Sequence, residues 1–107
     1  MNTNDLLLLA KWAYPSVTVR IDKASGSVWI ASRTAPFLPT PNTIEPLWLE
    51  NKDAIFEWKF KAICKALPRK HTNLKTSRYL DFLEDTQSAE QRAKVLLEWA
   101  EDTGQIE

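Results

Sequence analysis

Six prolines punctuate the chain, and their positions decide where regular structure can run. Pro15 and Pro68 each stand alone, whereas Pro36, Pro39, Pro41 and Pro46 crowd into residues 33–46. Proline fixes φ, has no backbone N–H to donate, and disfavours helical geometry in the residue before it. Residues 33–46 are therefore expected to form a stiff, extended, partly polyproline-like loop rather than a helix or a central strand. Phe37 and Leu38 would pack that loop over the core. It lacks the flanking basic residues of a convincing Pro-x-x-Pro ligand, so it reads as a connector.

Between the prolines the hydrophobic period changes. Thr3 or Asn4 can cap a first helix, with Asp5 well placed for the helix dipole, and Pro15 ends it near Tyr14. From Ser16 the period is two: Val17, Val19 and Ile21 point one way, and Thr18, Arg20 and Asp22 the other. Lys23 to Gly26 is a turn, and Ser27 to Ser32 is a second strand with Val28 and Ile30 on the same face as the first set. Trp29 then lies on the opposite face of this hairpin. A long helix is expected from about Leu47 to Leu67, where Leu49, Phe56, Phe60, Ile63 and Leu67 form one apolar stripe, widened by Ile55, Trp58 and Ala62. Arg69 to Lys75 reads as a polar connector. Ser77 caps a short helix to about Asp85 with Tyr79, Leu80 and Leu83 inward. Ser88-Ala89-Glu90-Gln91 matches a capping box and opens a last helix ending near Gly104, with Ala89, Ala93, Leu96, Leu97 and Ala100 on one face.

This order predicts an α+β fold: a short N-terminal helix, a two-stranded antiparallel hairpin, a Pro-rich loop, then three helices packed on the hairpin. With 107 residues, 44% apolar and 26% charged, residues 1–107 are expected to be a single globular domain. The N-terminus lacks the pattern of a signal peptide, and the run Leu6 to Leu9 is far too short to span a membrane, so a cytoplasmic chain with no membrane partner is expected. The lone Cys64 excludes an internal disulfide and reads as an inert thiol beside the long helix.

Catalytic grammar is thin. His71 is the only histidine and stands in a polar connector, no serine sits in a Gly-x-Ser-x-Gly elbow, and two glycines cannot build a phosphate-cradling loop. Glu57-Trp58-Lys59 has the Glu-x-Lys spacing of some metal-dependent nucleases, with Asp53 one turn earlier. On a helix, however, residues two apart diverge by about 200°. Asp81, Glu84 and Asp85 read as a solvated face. No enzyme, cofactor or metal is expected.

Charge says more. The formal net charge is +0, yet Trp58 to Leu80 holds seven basic residues and no acid: Lys59, Lys61, Lys65, Arg69, Lys70, Lys75 and Arg78. Asp81 to Glu107 holds eight acids against Arg92 and Lys94. Three readings stand open: the basic run pairs with the acidic last helix, meets a protein partner, or grips nucleic acid. A dedicated nucleic-acid domain normally carries a basic excess, so nucleic acid is the weaker partner. Five Trp residues exceed what so small a core usually holds, so one or two are expected at the surface. Trp29, Phe37 and Trp48 are the expected anchors for a protein partner, with Lys59, Arg69, Lys70, Lys75 and Arg78 as its electrostatic complement.

Met1 to Leu9, Ser27-Val28-Trp29-Ile30-Ala31 and Ala62 to Leu67 resemble stretches of small accessory proteins of temperate enterobacterial phages, and within that group anti-RecBCD proteins. The resemblance implies a host-cytoplasmic protein that binds a host DNA-processing enzyme, the RecBCD exonuclease, and inhibits its action on phage DNA. No motif carries a functional residue across. The alternative from the residues is a small nucleic-acid-binding protein using segment 59–78.

Overall fold

The computed structural model describes residues 1–31, 33, 35–67 and 72–106, with Thr72 described by its backbone alone. Pro68, Arg69, Lys70 and His71, and with them the expected middle of the basic run, lie outside the described residues, as do Ser32, Thr34 and Glu107. The element order is α1 (Thr3–Ala13), β1 (Val19–Ile21), β2 (Val28–Ile30), α2 (Pro41–Ala66), α3 (Thr72–Glu84) and α4 (Ala89–Asp102). The fold is α+β, as the sequence predicts.

Asn2 caps α1 by accepting from the Asp5 N–H, one residue earlier than expected. The hairpin pairs Val19 with Ile30, Arg20 with Trp29 and Ile21 with Val28, so the apolar positions share a face. Val28 and Ile30 are buried, Val17 and Val19 half-buried, and Ile21 opens to solvent at the strand end. The turn is held by Asp22, whose carboxylate accepts from the Ser25 hydroxyl at 2.8 Å. That bond, with the Ala24 N–H, keeps the carboxyl below its ordinary 3.8. Gly26 supplies the positive φ of 69° that the turn needs.

The Pro-rich stretch is only half a loop. Phe37 donates its N–H to the Val28 carbonyl at 2.7 Å and adds a bridge to the hairpin. α2 then begins at Pro41, six residues before the expected Leu47. The physical reason is positional. Pro41 occupies the first helical turn, where its N–H would be unsatisfied anyway and its fixed φ suits the helix. Pro46 forfeits one helical hydrogen bond on an exposed face, while Ile44, Leu47 and Trp48 bury around it. α3 likewise begins at Thr72 rather than Ser77, taking in half of the expected connector.

Packing is serial. α1 covers the hairpin, α4 lies against α1 and α2, and α3 packs on α2. The result is elongated, 53 × 25 × 22 Å. α4 runs alongside the first part of α2 in the same direction, because Arg92 reaches Glu45 at one end and Asp102 accepts from Trp58 Nε1 at the other. Its capping box is complete, Ser88 and Gln91 each bonding the other's backbone N–H. Ala93, Val95, Leu96, Leu97, Trp99 and Ala100 are all buried, so α4 is the centre of the core. Leu9, Val28, Ile44, Ile55 and Leu96 are its most fully enclosed large side chains. Burying each is worth about 1.5–3 kcal/mol.

Leu96→Ala is therefore expected to lose about 2–5 kcal/mol of stability. Ser88→Ala, which removes only the cap, should lose about 1 kcal/mol. Urea unfolding followed by far-ultraviolet circular dichroism measures both.

Candidate functional site

Two of the three expected aromatic anchors belong to the core. Phe37 and Trp48 are each only 3% exposed. Phe37 is drawn in by its bridge to Val28 and its edge contact with the Tyr14 ring. Trp48 lies edge-on to Phe56 with the Arg92 guanidinium 5.4 Å over its ring. Trp29 is half-buried on the outer hairpin face, and its Nε1 is buried without a hydrogen-bond partner. None of the five Trp side chains is exposed. The indole nitrogens of Trp12 and Trp58 are bound to Gln105 at 3.1 Å and Asp102 at 2.6 Å.

Exposed apolar surface appears instead where the sequence placed a core stripe. Leu49 and Phe60 on α2 are 56% and 55% exposed, and Leu80 on α3 is 54% exposed. They were expected to face inward. For Phe60 the reason is the serial packing: α4 stops beside Trp58, so the distal part of α2 has α3 as its neighbour on one side only. The distal part of α2 and the whole of α3 thus form an arm, held by Phe56 on Phe82 and Phe60 on Tyr79 in edge-to-face contacts with centroids 6.0 Å apart.

The arm has two seams. Along one, Lys59 and Ile63 of α2 and Leu74, Arg78, Asp81 and Asp85 of α3 line an open groove of about 470 Å³. Lys59 is stacked there, its ammonium 5.7 Å from the Trp58 ring and 5.4 Å from that of Phe82. The other seam runs along Phe60 and Tyr79. Leu80 is two residues before Phe82, whose ring packs on α2, and so lies on the outer face of α3, while Leu49 and Phe56 precede Phe60 at spacings of eleven and four.

The expected basic complement is divided. Arg78 is exposed, and Lys59 and Lys75 are half-buried; Arg69 and Lys70 lie outside the described residues. Lys61 is paired with Glu57 at 2.8 Å within α2. Among the described residues no ion pair joins the basic segment to α4, whose own pairs run from Arg92 to Glu45, Lys94 to Glu90 and Met1 to Glu90. Glu57 and Lys59 point apart, one to Lys61 and the other to the Phe82 ring. Among the described residues no group of three His, Cys, Asp or Glu is placed to hold a metal ion. A smaller cavity of about 180 Å³ lies at the other end between Tyr14, Phe37 and Thr43, with Arg33 stacked 5.3 Å over Tyr14 and bonded to its hydroxyl. No helix among the described residues is long and apolar enough to cross a membrane.

Trp48→Ala and Phe37→Ala are expected to act as core truncations, each losing about 3–5 kcal/mol, as thermal and urea unfolding would show. The Lys61 ammonium holds the Glu57 carboxyl below its ordinary 4.5, first through their hydrogen bond and then through its charge. The pair's stabilisation is thus present above pH 4.5 and lost as pH falls through the lower folded value. Carbon-detected NMR titration should place Glu57 below 4.5 and return it towards 4.5 in Lys61→Ala. No protein-family model matches the chain, and neither does any curated protein or solved structure.

Proposed function

We propose that this chain is a non-catalytic protein-binding module of phage type, acting in the host cytoplasm on a host DNA-processing enzyme such as the RecBCD exonuclease. The α2–α3 arm is its contact element. The observation that supports protein binding is exposed apolar surface on neighbouring helices: Leu49 and Phe60 of α2 and Leu80 of α3 are each more than half exposed. Exposed large apolar groups gathered on one element mark interaction surfaces, whereas scattered ones need no explanation. The host enzyme as target rests on the sequence resemblance alone.

Nucleic acid is the second reading, and one observation favours keeping it. Lys75 and Arg78 make no ion pair with the acidic α4 among the described residues, so their charge is not consumed internally. Against it, Asp81 and Asp85 line the same groove as Arg78 and would repel phosphate. Weak DNA binding by the isolated chain is expected.

The test has two arms. Pull-down from nuclease-treated bacterial lysate should recover one host complex with the native chain and lose it with Leu80→Ser, which keeps the fold. DNA affinity should be weak at physiological salt. Submicromolar DNA binding that falls by about 0.7–0.9 log units per phosphate contact per log unit of salt, and that disappears on reversing Lys70 and Lys75, would replace the protein-binding reading with the nucleic-acid one.

A further inference from the structure

We infer that the cavity beside Tyr14 binds a small carboxylate carrying an apolar body, with Arg33 as its counter-ion. The cavity, about 180 Å³, lies where the end of α1 at Tyr14, the residues that follow β2, and the first turn of α2 at Thr43 come together. It shares no lining residue with the groove of the arm, so the inference does not rest on the protein-binding reading.

The fold builds its walls. The Arg33 N–H donates to the Ile30 carbonyl at 2.9 Å and the Phe37 N–H to the Val28 carbonyl at 2.7 Å, so both residues are turned back toward β2. Ile30 and Phe37 are buried and Pro36 half-buried, and with Ala35 they give the cavity its apolar lining. The charge is held in position by Tyr14. The Arg33 guanidinium lies 5.3 Å from the Tyr14 ring centroid and donates to the Tyr14 hydroxyl at 3.2 Å. A guanidinium carries more donors than this one bond uses, and the hydroxyl keeps its own hydrogen to donate. Among the described residues Arg33 has no carboxylate partner, and no acid lines the cavity.

This combination selects the ligand. A cation would meet the guanidinium with no carboxylate to balance it. A neutral molecule would leave the guanidinium without the acceptor it lacks. Inorganic phosphate would bring a second negative charge with no second cation in the described lining, and no carbon body to cover Ile30 and Phe37. A carboxylate matches the guanidinium fork in a bidentate pair. A cavity of about 150 Å³ takes a benzene ring, so a body of roughly six carbons fits here. A free organic acid offers this chemistry, and so does a peptide ending in an apolar residue.

The experiment titrates the isotope-labelled full chain with benzoate and follows backbone amide shifts by NMR. Saturable shifts are expected at Tyr14, Ile30, Phe37 and Thr43, with the amides of α3 unmoved. Benzamide, the neutral isostere, and inorganic phosphate should each bind about tenfold or more weakly than benzoate. Arg33→Gln should weaken benzoate by about tenfold or more, and Arg33→Lys, which keeps the charge without the fork, by less. Arg33 is exposed, so both variants leave the core intact, and thermal unfolding checks this. Absence of shifts, shifts confined to other parts of the chain, benzamide or phosphate binding as tight as benzoate, or benzoate binding indifferent to Arg33→Gln would each overturn the inference. Acetyl-Gly-Gly-Phe with a free or an amidated C-terminus separates the two sources. Binding tighter than benzoate that amidation abolishes assigns the site to a peptide chain end; benzoate binding without peptide binding assigns it to a free acid.

Discussion

The arrangement of the helices turns on one guanidinium. Arg92, in the first turn of α4, donates to the Glu45 carboxylate near the start of α2 and to the Thr86 carbonyl at 2.7 Å in the turn after α3. Its face lies over the Trp48 ring. A lysine has one charged point where arginine has a planar fork and a stacking face, so it would serve only one of these contacts at a time. The three contacts fix where α4 starts along α2 and where the chain must leave α3. Thr86 supports the same corner: it is buried, and its hydroxyl donates to the Leu83 carbonyl at 2.9 Å.

Once α4 starts beside Glu45 and runs parallel to α2, its length decides what is covered. It ends at Asp102 beside Trp58, so the distal turns of α2 extend beyond it with only α3 for company. Two helices side by side bury the facing ridges and leave the flanks open. One flank of this pair is the groove that Lys59 lines, while Phe60, its neighbour in sequence, lies edge-on to Tyr79. The unfilled surface is thus a consequence of helix lengths and register.

Legibility followed range. The hairpin face, the capping box at Ser88 and the last helix depend on residues within four positions of each other, and their pattern is explicit in the sequence. The start of α2 is not legible from proline content alone, because proline both breaks helices and begins them. At Pro41 the same chemistry initiates a helix, and at Pro46 tertiary burial of Ile44 and Trp48 outweighs one missing bond. The burial of Phe37 and Trp48 is hidden from the local pattern for a different reason. Phe37 is buried by Val28 and Tyr14, and Trp48 by Arg92, partners at long sequence separation. Period alone identifies Leu49 and Phe60 as apolar and in line; it does not say whether another element is there to cover them.

The placement of α4 also bears on synthesis. Trp12 packs edge-on against Trp99 and bonds Gln105, and α1 has its helical partner in α4, the last of the described helices. α1 packs on both strands of the hairpin as well, so its two faces are closed by elements far apart in the sequence. A two-stranded hairpin alone is at best marginally stable and gains stability by packing against a helix. The face of α1 that bears Trp12 therefore closes on a residue 93 positions later, so the packing of the body is completed only once α4 has been translated.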